Sequence, residues 1–260
     1  MEVPLYLADA FITDCFRGNP AAVCVLENPA PEPWMQAVAN EMNQAETAFV
    51  HPATNGDWSL RWFTPTREVE LCGHATLASA HVLATTNRAS LPITFHTLSG
   101  PLTVSATQTG YQMDFPAWPT PEHINIAEIE DVLQTKLVEA WANDNVYLAE
   151  LESEEAIQHH RPDFNRILTL GRVGIIITAR GAEADFVSRF YAPNFGVPED
   201  HVTGSAHCSL AMYWSERLGK TKMVGHQLSP RGGEVGVELT GDRVLLTGQA
   251  RTFLSGTIQQ

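Results

Sequence analysis

The chain has 260 residues, with 16 basic and 30 acidic side chains and a formal net charge of −14. Its 44% apolar and 18% charged residues describe a globular protein and exclude a disordered, collagen-like or coiled-coil chain. The acidic balance argues against nucleic acid or an anionic membrane as the main partner, because both need a basic face; a small carboxylate can still be held by local dipoles.

Taken in chain order, β-branched and aromatic residues between turn signals predict strands over Val3–Phe11, Ala21–Leu26 and Ser59–Phe63, with a helix over Pro31–Gln44 that has a proline near its start. Gly73–Thr85 reads as a helix with small or apolar residues on nearly every face, which implies burial all round. Strands are predicted over Ile93–Leu98, Leu102–Ala106 and Tyr111–Phe115. Three prolines within Pro116–Pro121 mark a linker. Strands over Gly174–Thr178 and Asp185–Tyr191 then precede a second helix, Ser205–Leu218, closed by Gly219 as a C′ residue, and strand-like segments run from Val235 to Thr257.

The chain also matches itself at an offset of about 130 residues, too long for a solenoid repeat. Arg61-Trp62-Phe63-Thr64-Pro65 aligns with Arg189-Phe190-Tyr191-Ala192-Pro193, and Cys72-Gly73-His74-Ala75 with Thr203-Gly204-Ser205-Ala206. His96-Thr97-Leu98-Ser99 aligns with His226-Gln227-Leu228-Ser229, and Thr109-Gly110 with Thr240-Gly241. The same order at a nearly constant offset implies duplicated halves, residues 1–116 and 122–260, with the last strand able to return to the first domain. Each half is expected to be many short strands around one buried helix.

Both buried helices begin just after or at a glycine. Their first-turn amides lack helical partners and carry partial positive charge, which suits a carboxylate or a developing enolate; the same glycines also suit a tight strand-to-helix turn. Reactive side chains surround these starts: Cys72 and His74 beside Gly73, and Asp200, Thr203, Ser205 and His207 around Gly204. A zinc site using Cys72, His74, His207 and Cys208 is disfavoured by the spacing, so no metal is expected. Glu46 stands between the first helix and an apolar strand, either as a solvated edge or as an acid–base group. His159-His160 reads as a solvated helix face and Arg231-Gly232-Gly233 as a hairpin turn. The N-terminus has no basic patch or apolar stretch of a secretory signal. No apolar run approaches a membrane span, and Cys15, Cys24, Cys72 and Cys208 form no C-x-x-C pair. A cytoplasmic protein with reduced thiols is expected.

Several uncommon words occur together in order. They are Asp9-Ala10-Phe11, Phe16-Arg17-Gly18-Asn19-Pro20-Ala21-Ala22-Val23, Glu46-Thr47-Ala48-Phe49, Phe63-Thr64-Pro65 through Glu68-Val69, and Leu71-Cys72-Gly73-His74-Ala75-Thr76. In the second half they are Pro198-Glu199-Asp200, Val202-Thr203-Gly204-Ser205-Ala206-His207-Cys208 and Gly248-Gln249-Ala250. On these the chain resembles the PhzF-like isomerase family, named for phenazine biosynthesis and related in fold to diaminopimelate epimerase. The resemblance spans nearly the whole chain, although Thr120 to Ile167 carries no recognised motif. It implies an α+β fold of two pseudo-symmetric diaminopimelate-epimerase-like domains, each an antiparallel or mixed barrel-like sheet wrapped on a central helix, with the active site in the interdomain cleft.

The resemblance further implies that Glu46 is the general acid/base that moves a proton between carbons. By the same likeness His74, Asp200 and Ser205 line a small carboxylate substrate, and Gly73 and Gly204 offer backbone to its carboxylate or carbonyl. No cofactor is implied, and a homodimer is. Two positions depart from the pattern. The related epimerases use one cysteine from each half, but here Cys72 is matched by Thr203, a hydroxyl far too weak to replace a thiolate base. His201 stands where the family commonly has proline. The alternatives left open are a Cys72-dependent epimerase and a binding protein without turnover.

Overall fold

The structure, a computed structural model, describes residues 2–259. It forms two compact units: one runs to Phe115 and resumes at Leu246, and the other is Pro116–Leu245. In chain order the first unit contains β1 (Glu2–Ala10), β2 (Asn19–Val25), α1 (Glu32–Met42), β3 (Glu46–Pro52), β4 (Trp58–Phe63), β5 (Glu68–Val69), α2 (Gly73–Thr85), β6 (Ile93–Thr97), β7 (Gly100–Ala106) and β8 (Tyr111–Pro116). The second contains β9 (Glu122–His123), α3 (Ile126–Leu133), β10 (Glu139–Ala142), β11 (Val146–Glu150), α4 (Glu154–His159), α5 (Phe164–Leu168), β12 (Gly174–Arg180), β13 (Phe186–Ala192), β14 (Val197–Asp200), α6 (Gly204–Leu218), β15 (Lys222–Gln227) and β16 (Gly233–Thr240). β17 (Arg243–Gly248) crosses the boundary, and β18 (Ala250–Gln259) belongs to the first unit.

In the first unit β1 lies antiparallel to β2 on one side and to β18 on the other, with a bulge at Leu7/Ala8. β2 and β3 are parallel, β3 and β4 antiparallel, β4 and β6 parallel, and β6, β7 and β8 an antiparallel meander. The parallel β2–β3 pair needs a crossover, and α1 supplies it. Met35, Val38 and Ala39 form the buried stripe of α1 and pack with Cys24, Phe49 and Phe63. α1 ends where Asn43 turns left-handed at φ 49°.

α2 has no such stripe. Ala75, Leu77, Ala78, Ala80, Val82 and Leu83 are all fully buried, and the helix packs on β1, β2, β3, β7 and β18. Its hydroxyl side chains are satisfied along the helix backbone. Thr76, Ser79 and Thr85 hydroxyls donate to the carbonyls of Cys72, Ala75 and His81 at 2.5, 2.7 and 2.7 Å. Each fully buried leucine contributes about 1.5–3 kcal/mol, so burial rather than helix propensity holds α2 in place.

The second unit repeats this pairing. β10–β11 is antiparallel, β11–β12 parallel, β12–β13 antiparallel, β13–β15 parallel and β15–β16 antiparallel. α6 packs on β15 and β16 and ends at Gly219, which is left-handed at φ 64°. The fold is α+β, with the expected strands and both central helices displaced by no more than a few residues.

One expectation needs correction. The second unit is not only strands around one helix. The stretch without a recognised motif folds into α3, α4 and α5, capped by Asn125, Ser153 and Asp163 side chains, which cover a core of Ile129, Leu133, Ile157, Ile167, Ile175 and Ile177. His159 is exposed at the end of α4, but His160 is buried; it bonds the Tyr191 hydroxyl and the Leu133 carbonyl, each at 3.0 Å. The solvated-face reading therefore fails for His160, because the chain turns inward after α4. No helix among the described residues is long and apolar enough to cross a membrane.

Candidate active site

Glu46 is the first residue of β3, set there by the left-handed stop of α1 at Asn43. Its side chain is 15% exposed, so it is not a solvated edge. His74 lies in the first turn of α2 with its side chain 3% exposed, and its Nε2 is 3.4 Å from Glu46 Oε2. The other ring nitrogen, Nδ1, is 3.5 Å from the Cys72 sulfur. One imidazole thus stands between a carboxylate and a thiol. Donor atoms of Glu46, Cys72 and His74 lie within 4.8 Å of one another. A single cation takes one nitrogen from an imidazole, whereas here each nitrogen faces a different partner, which suits a proton relay better than a chelate.

The start of α2 is buried and has no side-chain cap, because Cys72 occupies the N-cap position. α6 begins the same way after Thr203. The contrast with α3, α4 and α5, each capped by an oxygen-bearing side chain, leaves the first-turn amides of α2 and α6 as oriented donors.

In the second unit Asp200 ends β14. The Thr203 hydroxyl donates to Asp200 Oδ2 at 2.6 Å. Gln227, fully buried, donates from Nε2 to the Asp200 carbonyl at 2.7 Å and accepts from the Thr203 amide at 2.8 Å. Gly204 is buried and Ser205 is partly exposed in the first turn of α6. The structure therefore groups Glu46 with His74 and Cys72 in one unit, and Asp200 with Thr203, Gly204 and Ser205 in the other.

Two members of the zinc set considered from sequence are held within α6. His207 Nδ1 donates to the Thr203 carbonyl at 2.8 Å and the Cys208 thiol points to the Gly204 carbonyl at 3.8 Å, so both are tied back into α6. Burial pushes the His207 imidazole down to about 4 against the opposing pull of its bond to Thr203, and pushes the Cys208 thiol up to about 12. These are the properties of inert core residues. His201, beside Asp200, is also held below the usual imidazole range by burial and by Arg231.

Gln227 carries no site motif in the sequence. Its signal was the repeated word His226-Gln227-Leu228-Ser229, whose second position differs from Thr97 in the first half. Arg231-Gly232-Gly233 does form a turn, closed by the Gly232 amide on the Ser229 hydroxyl at 3.1 Å.

Comparison with known proteins identifies the family and the fold. The family model described as phenazine biosynthesis-like protein, PhzC-PhzF, matches residues 8–256. An uncharacterized isomerase of Halalkalibacterium halodurans is 47% identical over 98% of this chain and 97% of its own. A crystal structure of a PhzF-family phenazine biosynthesis protein of Enterococcus faecalis superposes with a TM-score of 0.95 at 42% identity, covering 100% of both chains. A protein of Pseudomonas aeruginosa described as a predicted epimerase shares the fold at a TM-score of 0.83 and 20% identity over 99% of both chains. The chain belongs to the phenazine biosynthesis-like, PhzC-PhzF, family.

Proposed function

We propose that this protein is a cofactor-independent isomerase that moves a proton between carbons of a small carboxylate- or carbonyl-bearing substrate, with Glu46 as general acid/base. The observation that carries this reading is the mostly buried Glu46 carboxylate, 3.4 Å from His74 in the uncapped first turn of α2. A mostly buried carboxyl group beside an imidazole has the placement a general acid/base needs.

In this mechanism the Glu46 carboxylate removes a proton from a carbon α or vinylogous to the carbonyl. The electron pair of the broken C–H bond moves into the conjugated system as an enolate. The first-turn amides at Gly73 and Gly204 stabilise that charge, and Ser205 and Asp200 orient the substrate. Protonated Glu46 then returns the proton to another carbon as the electron pair re-forms a C–H bond. Nothing is oxidised or reduced and no co-reactant is consumed. His74, 3.4 Å from Glu46, is with Asp200 the available second proton carrier. The same reading makes the protein a cytoplasmic homodimer; light scattering on the purified protein checks the assembly.

The test is incorporation of solvent deuterium into a panel of small unsaturated and α-acidic carboxylates. Wild type should exchange at least one of them, and Glu46→Gln should lose that exchange while remaining folded. Exchange at the native rate by Glu46→Gln refutes the assignment. The 3.5 Å contact between Cys72 and His74 supports a second reading, one-sided epimerisation with Cys72 as base. Thermal stabilisation by a carboxylate that never exchanges would instead mark a binding protein.

A further inference from the structure

The repeated sequence words occupy equivalent places in the two units. In the first, Arg61 on β4 grips Glu68 on β5 through two bonds, Nε–Oε1 and Nη2–Oε2, both 2.6 Å. The same guanidinium lies 5.2 Å from the centre of the Phe63 ring. In the second, Arg189 on β13 grips Glu199 on β14 at 2.7 and 2.9 Å and lies 5.2 Å from the centre of the Tyr191 ring. Phe63 pairs with Glu68 across its ladder as Tyr191 pairs with Glu199. The later repeated word adds a second grip. Ser99 Oγ donates to the Glu70 carbonyl at 2.5 Å, and Ser229 Oγ donates to the His201 carbonyl at 2.8 Å.

Each grip falls on the six-residue approach to a buried helix, residues 68–73 and 199–204. In both, the arginine holds the first residue and the serine holds the third, and a glycine comes sixth. These approaches have little regular structure of their own. β5 has two residues and Glu70 is exposed; after β14 the chain is irregular until Gly204. Core packing fixes α2 and α6, but it does not fix the backbone that leads into them. A bidentate guanidinium–carboxylate pair does, because its planar fork sets orientation as well as distance. Neither a partly exposed ion pair such as Arg61–Glu68 nor a largely buried one such as Arg189–Glu199 adds much net stability, so geometry is the better account of why both units carry one. Arg189 is anchored further by donating to the Ile157 and His160 carbonyls at 3.3 and 2.8 Å.

We infer that Arg61, Glu68 and Ser99, with their counterparts Arg189, Glu199 and Ser229, are positioning residues. As a two-point brace in each unit they set the first-turn amides of α2 and α6, and through them the placement of Cys72, His74 and Asp200. The inference rests on reading those helix starts as substrate sockets, but its test uses no substrate, so the two fail separately.

The experiment reads the ring nitrogens of His74 by NMR in histidine-labelled protein across a pH series, with the His74 signals identified by their loss in His74→Gln. Ser99→Ala removes the second grip without changing any charge. It should move the His74 titration midpoint by about half a pH unit, roughly a threefold change in protonation equilibrium, or change the tautomer seen at fixed pH. Ser99→Thr, which keeps the hydroxyl, should restore the native spectrum. Glu68→Gln should perturb His74 likewise, and the swap Arg61→Glu with Glu68→Arg should recover part of the effect. Val104→Ala, a core truncation on β7, should lower the melting temperature and leave His74 unchanged. If Ser99→Ala and Glu68→Gln also lower the melting temperature with the His74 spectrum unaltered, the brace is only structural and the inference is wrong.

Discussion

Replacing Cys72 by alanine separates carboxylate chemistry from thiolate chemistry. The Cys72 sulfur meets His74 Nδ1 at 3.5 Å. If Cys72 only supports the imidazole, its removal forfeits one hydrogen bond, worth about 0.5–1.5 kcal/mol net. Were all of that lost from the transition state, turnover would fall about 2- to 10-fold at 1.36 kcal/mol per decade. If Cys72 is instead the base, its loss removes general-base catalysis, about 10²- to 10⁴-fold or roughly 3–5 kcal/mol. The two ranges do not overlap. Truncating this buried side chain costs about 1–2 kcal/mol of stability, which a protein of this size tolerates. The assay is the initial rate of deuterium incorporation into the exchanging carboxylate at saturation, for Cys72→Ala and Glu46→Gln side by side, with folding checked by circular dichroism. A folded Cys72→Ala protein a hundredfold or more below wild type, beside an active Glu46→Gln protein, refutes the glutamate mechanism.

Other consequences follow from the same geometry. Burial depresses the His207 imidazole from 6.5 to about 4, so between those values the unfolded chain binds a proton that the folded chain refuses. Stability is therefore unaffected by this group above pH 6.5 and falls as the pH drops toward 4, by about 3 kcal/mol from this group. His81, His160 and His201, also depressed mainly by burial, act in the same direction. Calorimetric melting temperatures from pH 7 to pH 4 should fall less steeply for His207→Gln than for wild type; equal slopes would rule His207 out as a contributor. Gln227→Leu strips bonds from the Thr203 amide and the Asp200 carbonyl, so urea unfolding should show a loss of about 3 kcal/mol. Gly18 has φ +80°, and a Cβ there would stand 2.3 Å from the Ala10 carbonyl oxygen, so Gly18→Ala should cost about 2 kcal/mol or more by the same measurement.

Much of the fold is legible locally. α2 declares itself because no polar stripe interrupts Ala75 to Ala84, and α6 because Gly219 ends it. The repeated words locate both helix starts because those words carry the brace and the turn, whose side chains have fixed jobs. What stays hidden is whatever depends on partners distant in sequence. From its own neighbours Glu46 reads first as a solvated edge, and only the family likeness makes it an acid–base group; its partner His74, on another element, is invisible to local sequence. His160 sits in a polar run, yet its environment is made by Tyr191 and Leu133. α3 to α5 have ordinary amphipathic sequences without rare words, so only tertiary packing shows that they form a core of their own.

The two units share a plan but not a chemistry, and the difference bears on mechanism. At the α2 start the N-cap residue is a thiol and the second helical residue an imidazole, both able to exchange protons. At the α6 start the same positions hold Thr203 and Ser205, and the Thr203 hydroxyl is already donated to Asp200. A two-base racemase needs a competent base from each half, since one group takes the proton on one face and another returns it on the opposite face. Here the α6 start offers amides and hydroxyls, which bind and orient, and one carboxylate, Asp200, held by the Thr203 hydroxyl, while the other proton carriers stand together around His74. Under the proposed mechanism, proton carriers gathered in the first unit suit removal and return of a proton by one group, and so migration of a double bond in preference to inversion of a stereocentre. Thr203→Cys supplies the test. If a thiol at that position were all that separated this protein from a racemase, the variant would gain α-proton exchange with inversion on a chiral carboxylate. The expected result is no inversion and weaker substrate binding, because the hydrogen bond that orients Asp200 is lost.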